Sequence, residues 1–179
     1  MTGPAEETEL IKQAQNGDRA AFESLLRAHY DVMYRIAYKW CGNQADAEDI
    51  TQNACVKLAR SIDTFRFQSA FLSWLCRLVI NTAKDWAKSR ARQTAELTAE
   101  NEPAEAPAGE EKVYANQVLA FIRGLPDKER EALCLVFSEG MSHREAAAVM
   151  ACKESTVSWY IHEARKKLQS FQSPGRRHG

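Results

Sequence analysis

The segment at residues 93–112, QTAELTAENEPAEAPAGEEK, divides this chain of 179 residues into two blocks. It contains no aromatic residue, includes two prolines and a glycine, and carries six acidic groups against one basic group. A segment of this composition buries too little apolar surface to offset the entropy cost of ordering it. We therefore expect a flexible acidic linker at residues 93–112, between an N-terminal lobe (residues 1–92) and a C-terminal lobe (residues 113–179).

Apolar residues on both sides of this segment recur every three or four positions, which is the spacing of an amphipathic helix. Long stripes of this kind begin at Phe22, Ala47, Leu72 and Val157. No stretch alternates apolar and polar residues for long enough to indicate a sheet. The sequence thus predicts an all-α fold of two small helical domains.

Several residues mark the ends of the predicted helices. Gly42 stops the helix that contains Phe22, and Asp46 is placed to cap the next one. In the C-terminal lobe, Ser142 and Glu145 form an S-x-x-E capping box. A break at residues 151–153 separates that short helix from the final helix, and this is the pattern of a helix-turn-helix.

The helix expected from about residue 70 to residue 92 has two different faces. One face is apolar, and about half a turn away lie an aromatic residue, an amide and three cations: Trp74, Arg77, Asn81, Lys84 and Lys88. Cations can neutralise phosphates, an amide can hydrogen-bond a base edge, and an aromatic ring can stack on a base. We interpret this stripe as a nucleic-acid face. The alternative is a solvated helix face with Trp74 in the core.

The loop before this helix combines aromatic, cationic and amide side chains. Its residues are Phe65, Arg66, Phe67, Gln68 and Ser69. A polar pocket of this kind can hold a base that has been extruded from the stack. The alternative is a loop that its two phenylalanines pin to the core.

The final helix carries polar residues opposite its apolar side. Ser155, Trp159, His162 and Lys166 share this face, and a basic run follows. The DNA major groove admits such a helix, with side chains at base edges and the basic end at phosphates. The alternative is an ordinary solvated helix in a bundle.

The sequence lacks the patterns of an enzyme. The histidines and carboxylates form no cluster with metal-ligand spacing, and there is no Gly-rich phosphate loop, nucleophile elbow or pair of catalytic acids. We expect no catalytic residue, no metal site and no cofactor.

The cysteines and the terminus point to a cytoplasmic protein. The five cysteines are widely spaced without a C-x-x-C pair, which favours reduced thiols buried as small apolar residues; a redox or metal role is the alternative. No apolar run is long enough to span a membrane, and the acidic N-terminus is unlike a signal peptide. We therefore expect no direct membrane insertion.

Three segments, in this order, resemble the extracytoplasmic-function (ECF) group of bacterial sigma factors. GDRAAFESLLRAHYDVMYRIAYKWCGNQADAEDITQNACVKL is similar to the opening helices and the polymerase-binding segment of that family. FRFQSAFLSWLCRLVINTAKDWAKSRAR is similar to its promoter-melting and minus-ten stretch, and LPDKEREALCLVFSEGMSHREAAAVMACKESTVSWYIHEARKKL resembles its minus-thirty-five helix-turn-helix.

The resemblance implies that residues 1–92 form sigma domain two and residues 113–179 form sigma domain four. The surface that grips the clamp of the largest RNA polymerase subunit would include Asp46, Asp49, Ile50, Gln52 and Asn53. Loop 65–69 would capture an unpaired promoter base, with Asn81, Lys84 and Lys88 along the adjoining single strand. The face toward the minus-thirty-five element would include Ser155, Thr156, Ser158, Trp159, Tyr160, His162 and Arg165.

The implied partners are RNA polymerase core, promoter DNA and an anti-sigma factor that covers both lobes. The implied function is promoter-specific transcription initiation in a stress or signal response. We expect the two lobes to keep their cationic and aromatic faces open to DNA while polymerase sets their separation. Two alternatives remain open: a stand-alone helix-turn-helix regulator, and a sigma mimic that captures an anti-sigma protein without binding DNA.

Overall fold

A computed structural model describes residues 4–96 and 110–172, which are mainly helical and include no strand. The all-α prediction is therefore confirmed. The helices are α1 (Pro4–Gln15), α2 (Arg19–Cys41), α3 (Gln44–Ser61), α4 (Phe71–Glu96), α5 (Glu110–Gly124), α6 (Asp127–Leu133), α7 (His143–Met150) and α8 (Glu154–Gln172). A 3-10 turn (Ile62–Thr64) follows α3, and a π-helical turn (Cys134–Ser138) continues α6.

The N-terminal lobe is the bundle of α1 to α4. The apolar stripes of its helices face inward, and Met33, Ile36, Ile50, Leu75 and Val79 are fully buried. The burial of such side chains removes apolar surface from water and is the main stabilising term of a small helical lobe. The helical spacing in the sequence therefore places the core of this lobe correctly.

Only two residues, Gly42 and Asn43, separate α2 from α3. Gly42 ends α2 in the left-handed region at φ 81°, as expected of a helix-ending glycine. Asn43, and not Asp46, caps α3: its backbone is extended and its side-chain oxygen accepts a hydrogen bond from the Asp46 amide at 2.9 Å. The predicted cap at Asp46 was wrong, because Asp46 already lies inside the first turn.

We expect Gly42→Ala to destabilise the protein by about 1–2 kcal/mol or more, since an L-residue in the left-handed region costs about that much. A Cβ at this position would also lie 2.7 Å from the guanidinium carbon of Arg123. Gly124→Ala is the matched control, because a Cβ there meets nothing within 4 Å and its φ is not positive. Urea denaturation of both variants measures the difference, and equal stabilities would refute this explanation.

The C-terminal lobe consists of α5 to α8 and contains the predicted helix-turn-helix. The capping box is present: Ser142 Oγ accepts from the Glu145 amide at 3.2 Å, and the Glu145 carboxylate accepts from the Ser142 amide at 2.8 Å. Ala151 ends α7 at φ 51°. The α8 helix then begins with the Lys153 carbonyl accepting from Val157. These features confirm the predicted break between the two helices.

The hydrogen bonds from Ser142 lower the pKa of Glu145 from its ordinary value of 4.5. A carboxylate with a lowered pKa stabilises the fold above its unfolded-state pKa and loses that contribution as the pH falls through the folded-state pKa. We therefore expect Glu145→Gln to reduce stability at pH 7 and to have a shrinking effect in acid. Urea melts at several pH values measure this, and a stability difference that grows below pH 4 would contradict it.

The two lobes pack against each other, contrary to the expectation of separate open modules. Helix α7 lies on α4, α5 and the π-helical turn lie on α2, and one continuous hydrophobic cluster includes buried residues of both lobes. The ends of the predicted linker are also helical, because α4 extends to Glu96 and α5 begins at Glu110. Residues 97–109 of that predicted linker lie outside the described residues.

All five cysteines are free thiols, and Cys41, Cys76 and Cys134 are buried. Burial raises the pKa of the Cys76 thiol to about 12 and that of Cys134 to about 11, so both stay protonated at neutral pH. Within residues 4–96 and 110–172, no three His, Cys, Asp or Glu side chains come together as metal ligands. None of the helices described is both long and apolar enough to cross a membrane.

Candidate nucleic-acid interface

A pocket of about 430 Å³ lies between α3 and α4. Helix α4 contributes three residues of the predicted nucleic-acid stripe, which are Trp74, Arg77 and Asn81. Helix α3 contributes two cations, Lys57 and Arg60, which the sequence analysis did not identify. No local sequence signal places them here, because only the packing of α3 against α4 brings them to the pocket. The pocket therefore combines an aromatic ring, an amide and three cations.

Trp74 packs against the core on one side and lines the pocket on the other. Its ring packs 5.5 Å from the Phe65 ring and 5.8 Å from the Phe71 ring, measured between centroids. The residue is only partly buried, and it lines the pocket. One part of the indole thus contacts the core while another part remains available for a ligand.

The three cations of the α4 stripe, Arg77, Lys84 and Lys88, differ in their contacts. Arg77 donates from Nε to the carbonyl of Val149 at 2.7 Å and from Nη2 to the carbonyl of Ala148. Lys84 donates to the Glu131 carboxylate at 2.7 Å. Arg77 and Lys88 are exposed, while Lys84 is half-buried. The expectation of an open cationic face therefore requires correction: two of its three cations are engaged by the C-terminal lobe.

The 65–69 loop is anchored at its start and exposed along the rest. Gln15 of α1 donates to the carbonyls of Ile62 at 2.8 Å and Phe65 at 2.9 Å. Phe65 is only 3% exposed and packs against Phe71. Its predicted place in a base-capturing surface is corrected, because this ring belongs to the core.

The four remaining loop residues, Arg66 to Ser69, are exposed. The Phe67 side chain is 43% exposed, and its backbone adopts φ 57°, a left-handed conformation that is uncommon for a bulky residue. Such conformations cost free energy and cluster at ligand-binding positions. The loop thus holds an aromatic ring in solvent next to the α4 face.

The predicted polymerase-binding residues of α3 do not all reach the surface. Asp49, Gln52 and Asn53 are exposed. Ile50 is fully buried, so its inclusion as a contact residue is corrected. The Asp46 carboxylate is half-buried and accepts hydrogen bonds from the guanidinium of Arg90 and from the side-chain Nδ2 of Asn43, each at 2.5 Å.

The polar face of α8 is open in this structure. Its exposed members are Ser155, Ser158, Trp159, His162, Arg165 and Lys166, while Thr156 and Tyr160 are half-buried. The Trp159 ring is 55% exposed and lies 5.3 Å from the Tyr160 ring. His143 of α7 shares a 2.8 Å hydrogen bond with Ser158, which fixes the two helices together at this face.

The chain matches two family models and resembles characterised proteins along most of its length. Residues 25–93 match Sigma-70 region 2, and residues 115–168 match Sigma-70, region 4. The ECF RNA polymerase sigma factor SigE of Mycolicibacterium smegmatis is 36% identical over an alignment of 166 positions, gaps included, which covers 87% of this chain and 64% of that protein. The RNA polymerase sigma-H factor of Pseudomonas aeruginosa is 30% identical over an alignment of 188 positions, gaps included, which covers 97% of each chain.

A solved structure also has a similar fold. The structure of CnrH in complex with the cytosolic domain of CnrY aligns with a TM-score of 0.72 at 25% identity, over 93% of this chain and 96% of CnrH. The chain spans a little less than two thirds of the M. smegmatis relative and nearly the whole P. aeruginosa relative. Its two matched regions, in this order and on this helical fold, together with the ECF sigma factor that is 36% identical, show that the chain belongs to the ECF family of RNA polymerase sigma factors.

Proposed function

We propose that this chain binds RNA polymerase core and directs it to specific promoters as a binding protein, without catalysing a reaction itself. The observation that carries the proposal is the pocket between α3 and α4, which gathers Trp74, Asn81 and three cations beside an exposed loop. Stacking, base-edge hydrogen bonding and phosphate neutralisation are the three contacts that hold an unpaired nucleotide. The site of action is then the cytoplasm, where polymerase works.

The N-terminal lobe would contact the melted minus-ten strand. The pocket would receive one nucleotide, with Trp74 under the base, Asn81 at its edge and Arg60 at its phosphate. The exposed loop residues Arg66, Phe67, Gln68 and Ser69 would hold a neighbouring extruded base. Extrusion costs a few kcal/mol and needs a shaped polar site on the protein, which the fixed, strained loop can supply.

The C-terminal lobe would read duplex DNA at minus thirty-five. Its α8 face is exposed and ends in a basic run, so it can enter a major groove without any rearrangement of the lobe. Ser155, Trp159 and His162 would reach base edges, while Arg165 and Lys166 would meet phosphates. Neither DNA element needs to be bound tightly alone if polymerase holds both lobes.

The exposed part of α3 would bind the clamp of the largest polymerase subunit. Asp49, Gln52 and Asn53 lie along this part, while Asp46 and Ile50 would act by fixing the helix rather than by contact. The resemblance also implies an anti-sigma partner. A groove of about 700 Å³ lined by Leu119, Phe137 and Leu168 offers apolar surface for such a protein.

A scan of abasic sites tests the nucleotide pocket. The full chain with core polymerase is bound to a promoter fragment whose minus-ten region is already unpaired, and one base at a time is removed from the non-template strand. We expect two neighbouring positions at which removal of the base weakens binding, one held in the pocket and one held by the exposed loop. With the intact strand, Arg60→Ala should also weaken the complex, because the variant neutralises one phosphate fewer. Arg27→Ala, an exposed cation on α2, is the control. Equal affinity at every abasic position would overturn the pocket assignment.

A further inference from the structure

The first two turns of α8 lack the residues that most often read a base in the major groove. Residues 154–162, ESTVSWYIH, contain no arginine and no lysine. A guanine edge bound by one of these cations is the commonest specific contact, and the N-terminal part of a recognition helix is the part that reaches base edges. The basic run of α8 comes later in the helix. The start of α8 must therefore read DNA without a cation.

Two cations of that basic run are also engaged within the lobe. The guanidinium carbon of Arg165 lies 5.2 Å from the centroid of the Phe137 ring. Lys167 pairs with the buried Glu129 carboxylate at 2.6 Å. These contacts hold both side chains toward the body of the lobe, so neither turns back to the first two turns of α8.

A large aromatic ring lies where a cation is absent. Trp159, in the second turn of α8, is 55% exposed, and its ring lies 5.3 Å from the Tyr160 ring at an interplanar angle of 62°. Tyr160 is half-buried and packs against the hydrophobic core. An edge-to-face contact with an anchored ring favours one orientation of the indole. Trp159 therefore presents a rigid apolar surface, which loses little conformational freedom on binding.

The hydroxyl next to this ring is already used within the lobe. Ser158 Oγ donates to the Glu154 carbonyl at 3.2 Å and shares a 2.8 Å hydrogen bond with His143 Nδ1. A serine hydroxyl has a single hydrogen to donate. The same contact ties α8 to α7 beside the indole, so the backbone that carries Trp159 is fixed as well.

The chemistry of the indole limits what it can read. It has one donor, Nε1–H, and no acceptor, so it cannot form the paired hydrogen bonds by which arginine reads guanine. The apolar group that base pairs present in the major groove is the C5 methyl group of thymine. We propose that Trp159 reads a thymine methyl group in the minus-thirty-five element. The inference rests on the proposed function of α8 and adds the chemical group that this position recognises.

Replacement of single thymines by deoxyuridine tests the inference, because it removes the methyl group and keeps the base pair. The full chain with core polymerase is bound to a promoter that it transcribes, and each thymine of the minus-thirty-five element is replaced in turn on either strand. We expect one position at which uracil lowers the affinity about fourfold, the cost of losing one buried methyl group. At that position 5-bromouracil should restore the affinity, since bromine fills the space of the methyl group. Ultraviolet light should then cross-link it to Trp159, as identified by mass spectrometry.

Variants of the ring assign the effect to this residue. Trp159→Ala should bind the thymine and uracil promoters with equal affinity, while Trp159→Phe, which keeps an aromatic ring, should keep most of the difference. Tyr30→Ala removes another exposed ring, on α2, and should leave both affinities unchanged. Circular dichroism establishes that each variant is folded, as expected for substitutions of exposed side chains.

The outcomes separate this inference from the proposed function. Specific promoter binding without any uracil-sensitive thymine in the minus-thirty-five element would overturn the inference alone. The same uracil sensitivity in Trp159→Ala as in wild type would also overturn it, because another residue would then contact the methyl group. A complex that binds no promoter specifically would overturn the proposed function and the inference together.

Discussion

Asn81→Ala should slow open-complex formation by roughly 5- to 150-fold, because a good side-chain contact with a base edge contributes about 1–3 kcal/mol. Asn81 is exposed on α4 and lines the pocket beside Trp74. The proposed clamp residues Asp49, Gln52 and Asn53 do not line this pocket, so the affinity for polymerase core should stay the same. Stopped-flow fluorescence of a labelled promoter measures opening, and titration of labelled core polymerase measures affinity.

The control for this prediction is Asn16→Ala, another exposed asparagine, which lies in the turn between α1 and α2. It should leave both opening and polymerase affinity unchanged. Normal opening by Asn81→Ala would remove this residue from the DNA interface. A parallel loss of polymerase affinity would instead indicate damage to the whole lobe.

Leu75→Ala should destabilise the chain by about 2–5 kcal/mol, which is the usual cost of removing a fully buried leucine side chain and leaving a cavity. Leu75 lies at the centre of the α4 inner face and is 0% exposed. The loss has a direct functional consequence, because the same helix carries the pocket residues on its other face. Urea denaturation followed by circular dichroism gives the free energy of unfolding.

Val56→Ala is the matched aliphatic control, since the Val56 side chain is 45% exposed. Its effect should stay within about 0.5 kcal/mol, as for most surface substitutions. Similar losses for both variants would mean that α4 does not pack as the structure describes.

The helical architecture could be predicted because its causes are local in sequence. Three- and four-residue spacing places Leu75 and Val79 inward, and the capping box of Ser142 and Glu145 acts within one turn. The helix-turn-helix followed from the same kind of signal. The cap of α3 was the exception, where Asn43 and Asp46, three positions apart, are both suitable residues and only the backbone conformation selects Asn43.

The candidate site was predicted less completely, because burial depends on contacts between distant segments. The resemblance places Ile50 and Phe65 on contact surfaces, yet both belong to the core, as the helical spacing indicated for Ile50 and the alternative interpretation of the loop indicated for Phe65. Arg60 could not be assigned, since only the packing of α3 against α4 brings it to the pocket.

The lobe contact was hidden from sequence reasoning for the same reason. Its ion pairs join residues far apart in the chain, as Arg35 and Glu139 do. An acidic segment between two amphipathic blocks predicts two lobes, but it carries no information on whether the lobes contact each other. The signal that could have raised the question is the pair of acids at Glu129 and Glu131 on the short helix α6, both of which are buried.

The most direct test of the central claim is run-off transcription with purified bacterial core polymerase and a library of promoter fragments from the source genome. The account predicts that adding the full chain yields transcripts from a discrete set of promoters, with matching start sites, and that core polymerase alone yields none of them. If the chain instead binds specific duplex sites by itself and adds no transcript in the presence of core polymerase, the account is wrong.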